Sequence, residues 1–110
     1  MASKYSYKFA EKAERDLDST LSYIKFDLKN PSAAAAFGKK FFDAIDNIRE
    51  FPLSGMIVEN DFLPNKDIRR VIVDNYVMYY MANDDEKTIY IIGIVYGKRN
   101  LEDILKYINE

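Results

Sequence analysis

Residues 10 to 51 carry a helical period twice, and the period is broken only once, at "KNP" (29–31). In the first stretch Ala10, Ala13, Leu17, Leu21, Ile24 and Leu28 recur at steps of three and four, with Glu11, Glu14, Arg15, Asp18 and Lys25 between them. This spacing predicts an amphipathic helix over 10–28. Pro31 disfavours helical geometry at Asn30 and suits the first turn of a new helix that Asn30 can cap. From there Phe37, Phe41, Ala44, Ile45, Ile48 and Phe51 share one face until Pro52 ends the second helix. Two such helices joined by a tight break form an antiparallel hairpin, and its apolar stripe has to be buried on something else.

The rest of the chain must therefore supply a sheet. Residues 5–9, "YSYKF", alternate with period two, so a short strand with Tyr5, Tyr7 and Phe9 toward the core is expected. Residues 52–66, "PLSGMIVENDFLPNK", have no sustained period and read as a loop with Met56, Ile57, Phe62 and Leu63 as anchors. "IRRVIV" (68–73) and "YVMYYMA" (76–82) flank Asp74 and Asn75, a two-residue hairpin turn that tolerates positive φ. "NDDEK" (83–87) turns the chain into "TIYIIGIVY" (88–96), apolar on both faces and so a central strand covered on both sides. After "GKR", Asn100 can cap a short last helix with Leu101, Ile104, Leu105 and Ile108 as its stripe and Asp103 in the reciprocal capping position. The reading is α+β in a single domain, 1–110: an N-terminal strand, an antiparallel helical hairpin packed on one face of a small antiparallel sheet, and a short C-terminal helix. The second face of the sheet lacks a long helix and is expected to be partly exposed or a partner's docking site.

Composition narrows the chemistry. The chain has no cysteine and no histidine, which removes disulfides, thiolate zinc sites, cysteine nucleophiles and imidazole base catalysis. No cofactor and no metal is expected. Sixteen basic against eighteen acidic residues give a net charge of -2, the wrong sign for coating nucleic acid over a wide face. No run approaches the about 18 apolar residues of a membrane span, and the N-terminus lacks a signal-peptide pattern, so a cytoplasmic location with no membrane partner is expected.

Two basic pairs stand out. Adjacent side chains of a strand point to opposite faces, so one of Arg69 and Arg70 emerges on each face; a solubilising edge strand and a binding role are both compatible with the pattern. Lys98 and Arg99 follow the last strand and precede a helix whose N-terminal amides favour an anion, with Gly97 allowing the turn. The competing reading is a gatekeeper pair after a hydrophobic strand. Tyrosines at 76, 79, 80, 90 and 96 serve either base stacking or strand packing. Asp84, Asp85 and Glu86 fall in a hairpin turn, where acidic residues are ordinarily solvated, and Gly38 inside the second helix signals close packing.

"AERDL" (13–17), "YI" (23–24), "NPSAAAAF" (30–37), "IREFPLSG" (48–55), "IRRVIVDNYVMYY" (68–80) and "IYIIGIVYGKRNLEDIL" (89–105) together resemble the ParE/RelE superfamily of toxins from bacterial type II toxin-antitoxin systems, and the ParE branch more closely. The resemblance implies the fold read above. In members that cut messenger RNA on the ribosome, basic residues on the strands after the second helix, a strand-end arginine and often a final-helix tyrosine do the work. Arg99 matches the strand-end arginine, and Arg69 and Arg70 match the basic strand approximately. The arginine after the strand tyrosine is Val77 here, and the final-helix tyrosine falls on Leu105, while Tyr107 would point about 200° away around the helix. Cutting RNA through its 2'-hydroxyl needs a base, an acid and cations, so the resemblance leaves only cations in place.

ParE-type members instead inhibit DNA gyrase by binding, and their histidine before the strand-end glycine is Tyr96 here. The resemblance implies a toxin that binds gyrase through Arg69, Arg70, Tyr96, Lys98 and Arg99. It also implies neutralisation by a cognate antitoxin that lays a segment over the hairpin and along the sheet in a hetero-oligomer. The alternatives are a ribosome-dependent endoribonuclease in which Arg69, Arg70, Lys98 and Arg99 bind the phosphate, with Arg69, Arg70 and Arg99 the catalytic candidates, and an inactive antitoxin-binding relic.

Overall fold

The computed structural model describes residues 4–59 and 67–97. The elements run β1 (Ser6–Phe9), α1 (Glu11–Ser22), a π-helical turn (Tyr23–Asp27), α2 (Pro31–Glu50), β2 (Met56–Val58), β3 (Ile68–Val73), β4 (Tyr76–Asn83) and β5 (Thr88–Tyr96). The expected last helix, together with Lys98, Arg99, Phe62 and Leu63, lies outside the described residues.

The hairpin forms where its signals place it. Asn30 Oδ1 accepts the Ala33 amide at 3.0 Å with Pro31 in the first turn, and α2 stops when Phe51 donates to the Asn47 carbonyl and Pro52 follows. The first helix differs from expectation in its last turn. There the Leu28 amide reaches back five residues to the Tyr23 carbonyl at 3.0 Å, so the turn widens. The chain then reverses at Lys29, whose φ is 51°, and Asn30 donates to the Ile24 carbonyl. The widened turn swings Leu28 out to 56 % exposure, so the apolar stripe of the first helix ends at Ile24.

The sheet has five strands in the order β1-β5-β4-β3-β2. Strands β2 to β5 are antiparallel neighbours, and β1 adds to β5 in parallel, which makes the sheet mixed. β5 lies between β1 and β4 and is buried on both faces, as its unbroken apolar run requires. Asp74 adopts φ 54° in the turn between β3 and β4. The segment expected as a plain loop contains β2, an edge strand, and its position leaves Met56 and Ile57 exposed rather than anchoring. Tyr7 is also exposed, since β1 is the opposite edge, and Phe51 lies past the end of α2 and outside the core.

One face of the sheet packs on the hairpin. Ala13 and Leu17 from α1, Phe37, Phe41, Ile45 and Ile48 from α2, and Met78, Tyr80, Ile89, Ile91 and Ile94 from the sheet form its core. A smaller cluster of Ile68, Tyr79, Ile92 and Val95 occupies the second face. The membership of these clusters exposes a discontinuity in β5: Ile89 and Ile91 face the helices, but so does Ile94. The register explains it, because Tyr80 pairs with Ile91 while its neighbour Tyr79 pairs with Gly93. Ile92 is an inserted residue, a β-bulge that exchanges the two faces for everything after it. No helix among the described residues is long and apolar enough to cross a membrane.

Candidate functional site

The two arginines of β3 separate as the strand alternation demands, and their fates differ. Arg69 lies on the helix side opposite Tyr80. Its Nη1 donates to the Gly55 carbonyl at 2.8 Å and to the Leu53 carbonyl at 3.2 Å. The buried Tyr80 hydroxyl holds the same loop, donating to the Pro52 carbonyl at 2.8 Å and accepting the Gly55 amide at 2.9 Å. Gly55 has to be glycine, because a Cβ there would sit 2.6 Å from the Tyr80 hydroxyl and 2.9 Å from the Arg70 carbonyl. Arg69 thus belongs to a clamp that ties the α2–β2 connection to the sheet.

Arg70 is exposed on the second face. It stands between Met56 and Tyr79 in the strand register, with Nη2 3.2 Å from the Met56 sulfur. Its surroundings are apolar: Ile72 on the same side is 69 % exposed, and Val77 and Met81 pack against the second cluster. The other lysine or arginine that strand alternation puts on this face among the described residues is Lys8 on β1, paired in register with Tyr90. β1 and β3 are three strand spacings apart, about 14 Å, so the two cations do not converge on one phosphate. Burial pushes the Tyr79 hydroxyl above its ordinary 10, with the Arg70 charge opposing. A proton acceptor needs the opposite shift.

Tyr96 ends β5 on the helix side and is 62 % exposed. Its ring meets that of Tyr76 edge-on at 5.3 Å, and Tyr76 in turn lies 5.0 Å from Phe37. These rings, with Tyr23, Ile24 and Leu28 of the widened turn, line a groove of about 640 Å³ between the hairpin and the β3–β4 turn. Lys40 closes one rim by pairing with Asp74 at 2.9 Å. Gly97 follows with φ 66° and donates to the Asn75 carbonyl at 2.8 Å, so the strand end is tied to the β3–β4 turn just before Lys98 and Arg99. No Cβ would collide at Gly97, so its requirement is conformational. The positions singled out in the sequence therefore fall apart: Arg70 looks out from one face, Tyr96 from the other, and Arg69 is enclosed in the clamp. Of the groove's participants, Tyr76 stood among the tyrosines open to either a stacking or a packing role, and Tyr23 was missed because a tyrosine in a helix gives no signal beyond packing.

At the far end of the sheet Asp84, Asp85 and Glu86 occupy the β4–β5 turn, with Tyr5 donating to Asp84 at 2.7 Å and Tyr90 to Glu86 at 2.6 Å. These hydrogen bonds to carboxylates are the first cause of the raised pKa of both tyrosines. No group of acidic residues among the described residues is arranged to hold a metal ion.

A family model described as the ParE toxin of the type II toxin-antitoxin system, parDE, matches residues 7–108. The chain belongs to this family. Among solved structures this ParE-family toxin is similar to a chain of the chromosomal ParDE system of P. aeruginosa, at 18% identity and a TM-score of 0.66, covering 86% of this chain and 98% of that one. It is similar also to a chain of the archaeal RelE-RelB complex from Pyrococcus horikoshii OT3, at 18% identity and a TM-score of 0.60 over 88% and 99%. A chain of the toxin-antitoxin complex RelBE2 from Mycobacterium tuberculosis gives 21% identity and a TM-score of 0.56 over 84% and 98%. At these identities the structural likenesses establish the fold of the ParE/RelE superfamily. No curated protein gives a significant match.

Proposed function

We propose that this ParE-family toxin acts by binding, with DNA gyrase as its target, and that a cognate antitoxin neutralises it in a hetero-oligomer in the cytoplasm. The observation that carries the reading is the second face of the sheet. Where the resemblance puts a phosphate-binding arginine in RNA-cutting members, Val77 packs against the cluster of Ile68, Tyr79, Ile92 and Val95, and the outward Arg70 stands among apolar side chains. A surface of this kind suits a protein partner with an apolar segment better than a scissile phosphate, which needs converging cations and a proton acceptor. Tyr96 and Arg70, with Lys98 and Arg99, are assigned to target contact. The solved complexes of RelE-RelB and RelBE2 support a cognate antitoxin as the partner that covers the exposed apolar residues of the sheet and hairpin.

A supercoiling assay with the purified toxin tests this. Inhibition of gyrase that is relieved by equimolar antitoxin, with message left intact on ribosomes, is the expected result. Cleavage of ribosome-bound message that disappears in Arg99→Ala would overturn it in favour of an endoribonuclease.

A further inference from the structure

β5 has β1 as its outer neighbour only as far as Ile91, paired with Phe9. The Ala10 amide then donates to the Ile91 carbonyl and the chain leaves to become α1. Beyond that point no strand among the described residues pairs with this edge of β5, and a strand amide pointing to it needs another acceptor. The acceptor is a side chain of α1. Asp16 Oδ2 takes the Ile94 N–H at 3.2 Å while both carboxylate oxygens accept from Lys12 Nζ at 2.9 and 3.0 Å.

The identity of that amide is informative. Before the bulge, the groups of β5 that face the outer edge belong to odd-numbered residues: the carbonyls of Lys87 and Ile91 accept from Ser6 and Ala10. After it, the edge-facing amide is that of Ile94, an even-numbered residue. A continuous strand without the inserted Ile92 would turn Ile94 N–H toward β4. It would bring Gly93 or Val95 to the edge instead, displaced by about 3.3 Å along the strand. Asp16 is therefore seated where only the bulged phase offers a donor. The same phase decides the side chains: with the bulge Tyr96 lies beside Tyr76 on the helix side, and without it Tyr96 would emerge on the second face.

We propose that Asp16 is a positioning residue that locks the bulged phase of β5 by accepting the Ile94 amide, and so builds the tyrosine-lined groove by placing Tyr96 in it. That the groove meets the target rests on the binding-toxin reading; that Asp16 sets the phase does not. Lys12 Nζ also donates to both oxygens of this carboxylate, and the phase is assigned to the carboxylate alone.

The test is NMR on the whole toxin. In Asp16→Ala the ring-to-ring NOEs between Tyr76 and Tyr96 are expected to vanish and the Ile94 amide to exchange about tenfold faster or more, the loss of one hydrogen bond to a charged acceptor. Asp16→Asn keeps an acceptor oxygen and retains the NOEs, and Lys12→Met leaves them unchanged. A loss that were merely structural would lower stability without moving Tyr96 between faces. Retention of the Tyr76–Tyr96 NOEs in folded Asp16→Ala overturns the proposal. If that variant does not fold, exchange in the wild type decides: Ile94 must be protected like the paired amides of β5, and rapid exchange there overturns it as well. In the supercoiling assay Asp16→Ala should inhibit at least about tenfold less than Asp16→Asn. A wild type that leaves gyrase untouched refutes the target while the NMR result stands on its own.

Discussion

A single hydroxyl shows how much one residue can organise. Tyr80 has no exposed surface, yet its oxygen both donates to Pro52 and accepts from Gly55. Tyr80→Phe keeps the ring in the core and strands a backbone amide and a carbonyl, so it should cost about 1–3 kcal/mol in urea unfolding. The same group predicts a pH dependence. Burial holds the Tyr80 proton above the ordinary 10, opposed by the Gly55 amide and the Arg69 charge. The unfolded chain therefore releases this proton at lower pH than the native one does, and deprotonation favours unfolding. The contribution is complete below pH 10 and is lost as the pH climbs above it, so stability should fall beyond pH 10. Tyr80→Phe should lessen that fall in alkaline urea titrations, since one of the tyrosines whose proton burial holds is gone.

Within β3, alternation turns a repeated residue type into two different jobs. Arg69→Met should lower Tm and loosen the 52–55 connection, at a cost of about 1–2 kcal/mol, because the Leu53 and Gly55 carbonyls lose a charged donor. Arg70→Met, exposed on the second face, should leave stability within about 0.5 kcal/mol and weaken target binding instead, read as a higher toxin concentration for half-inhibition. The sequence offered no means of telling them apart, since spacing says that the two differ but not which face is which. Elsewhere legibility followed signal strength. Two long helices with an Asn-Pro break, and strands flanking Asp74 and Asn75, were readable because period and turn chemistry agreed. β2 was not, because three residues are too few to show a period. The bulge was hidden for a different reason: in "IYIIGIVY" nearly every position is apolar, so either phase looks alike and the residue that decides between them sits 78 positions away, in Asp16. The widened turn after Ser22 was equally silent, because a π turn differs from an α turn in hydrogen bonding and leaves no compositional mark.

At the scale of the molecule, the residues proposed for target contact divide between two faces of one sheet that the fold keeps apart. The helical side holds the tyrosine groove, and the second side holds Arg70 in an apolar field. What joins them is β5, which contributes to both clusters and ends where Tyr96, Lys98 and Arg99 follow one another. This strand also has the most distant strand partner among the described residues, with Ser6 aligned to Thr88. Closing a loop of 82 residues costs roughly 4 kcal/mol of chain entropy before any contact compensates it. The hairpin and the β3–β4–β5 meander, built from near neighbours, can form without that closure. β1 is thus placed to dock after the rate-limiting step. Phe9→Ala, which removes the half-buried ring stacked on Phe41, should destabilise by about 3 kcal/mol. In a chevron plot it should steepen the loss through faster unfolding, with the folding limb almost unmoved. Joining the first strand to the last, then, gives the toxin a latch whose release sets how long the native state survives rather than how quickly it is reached.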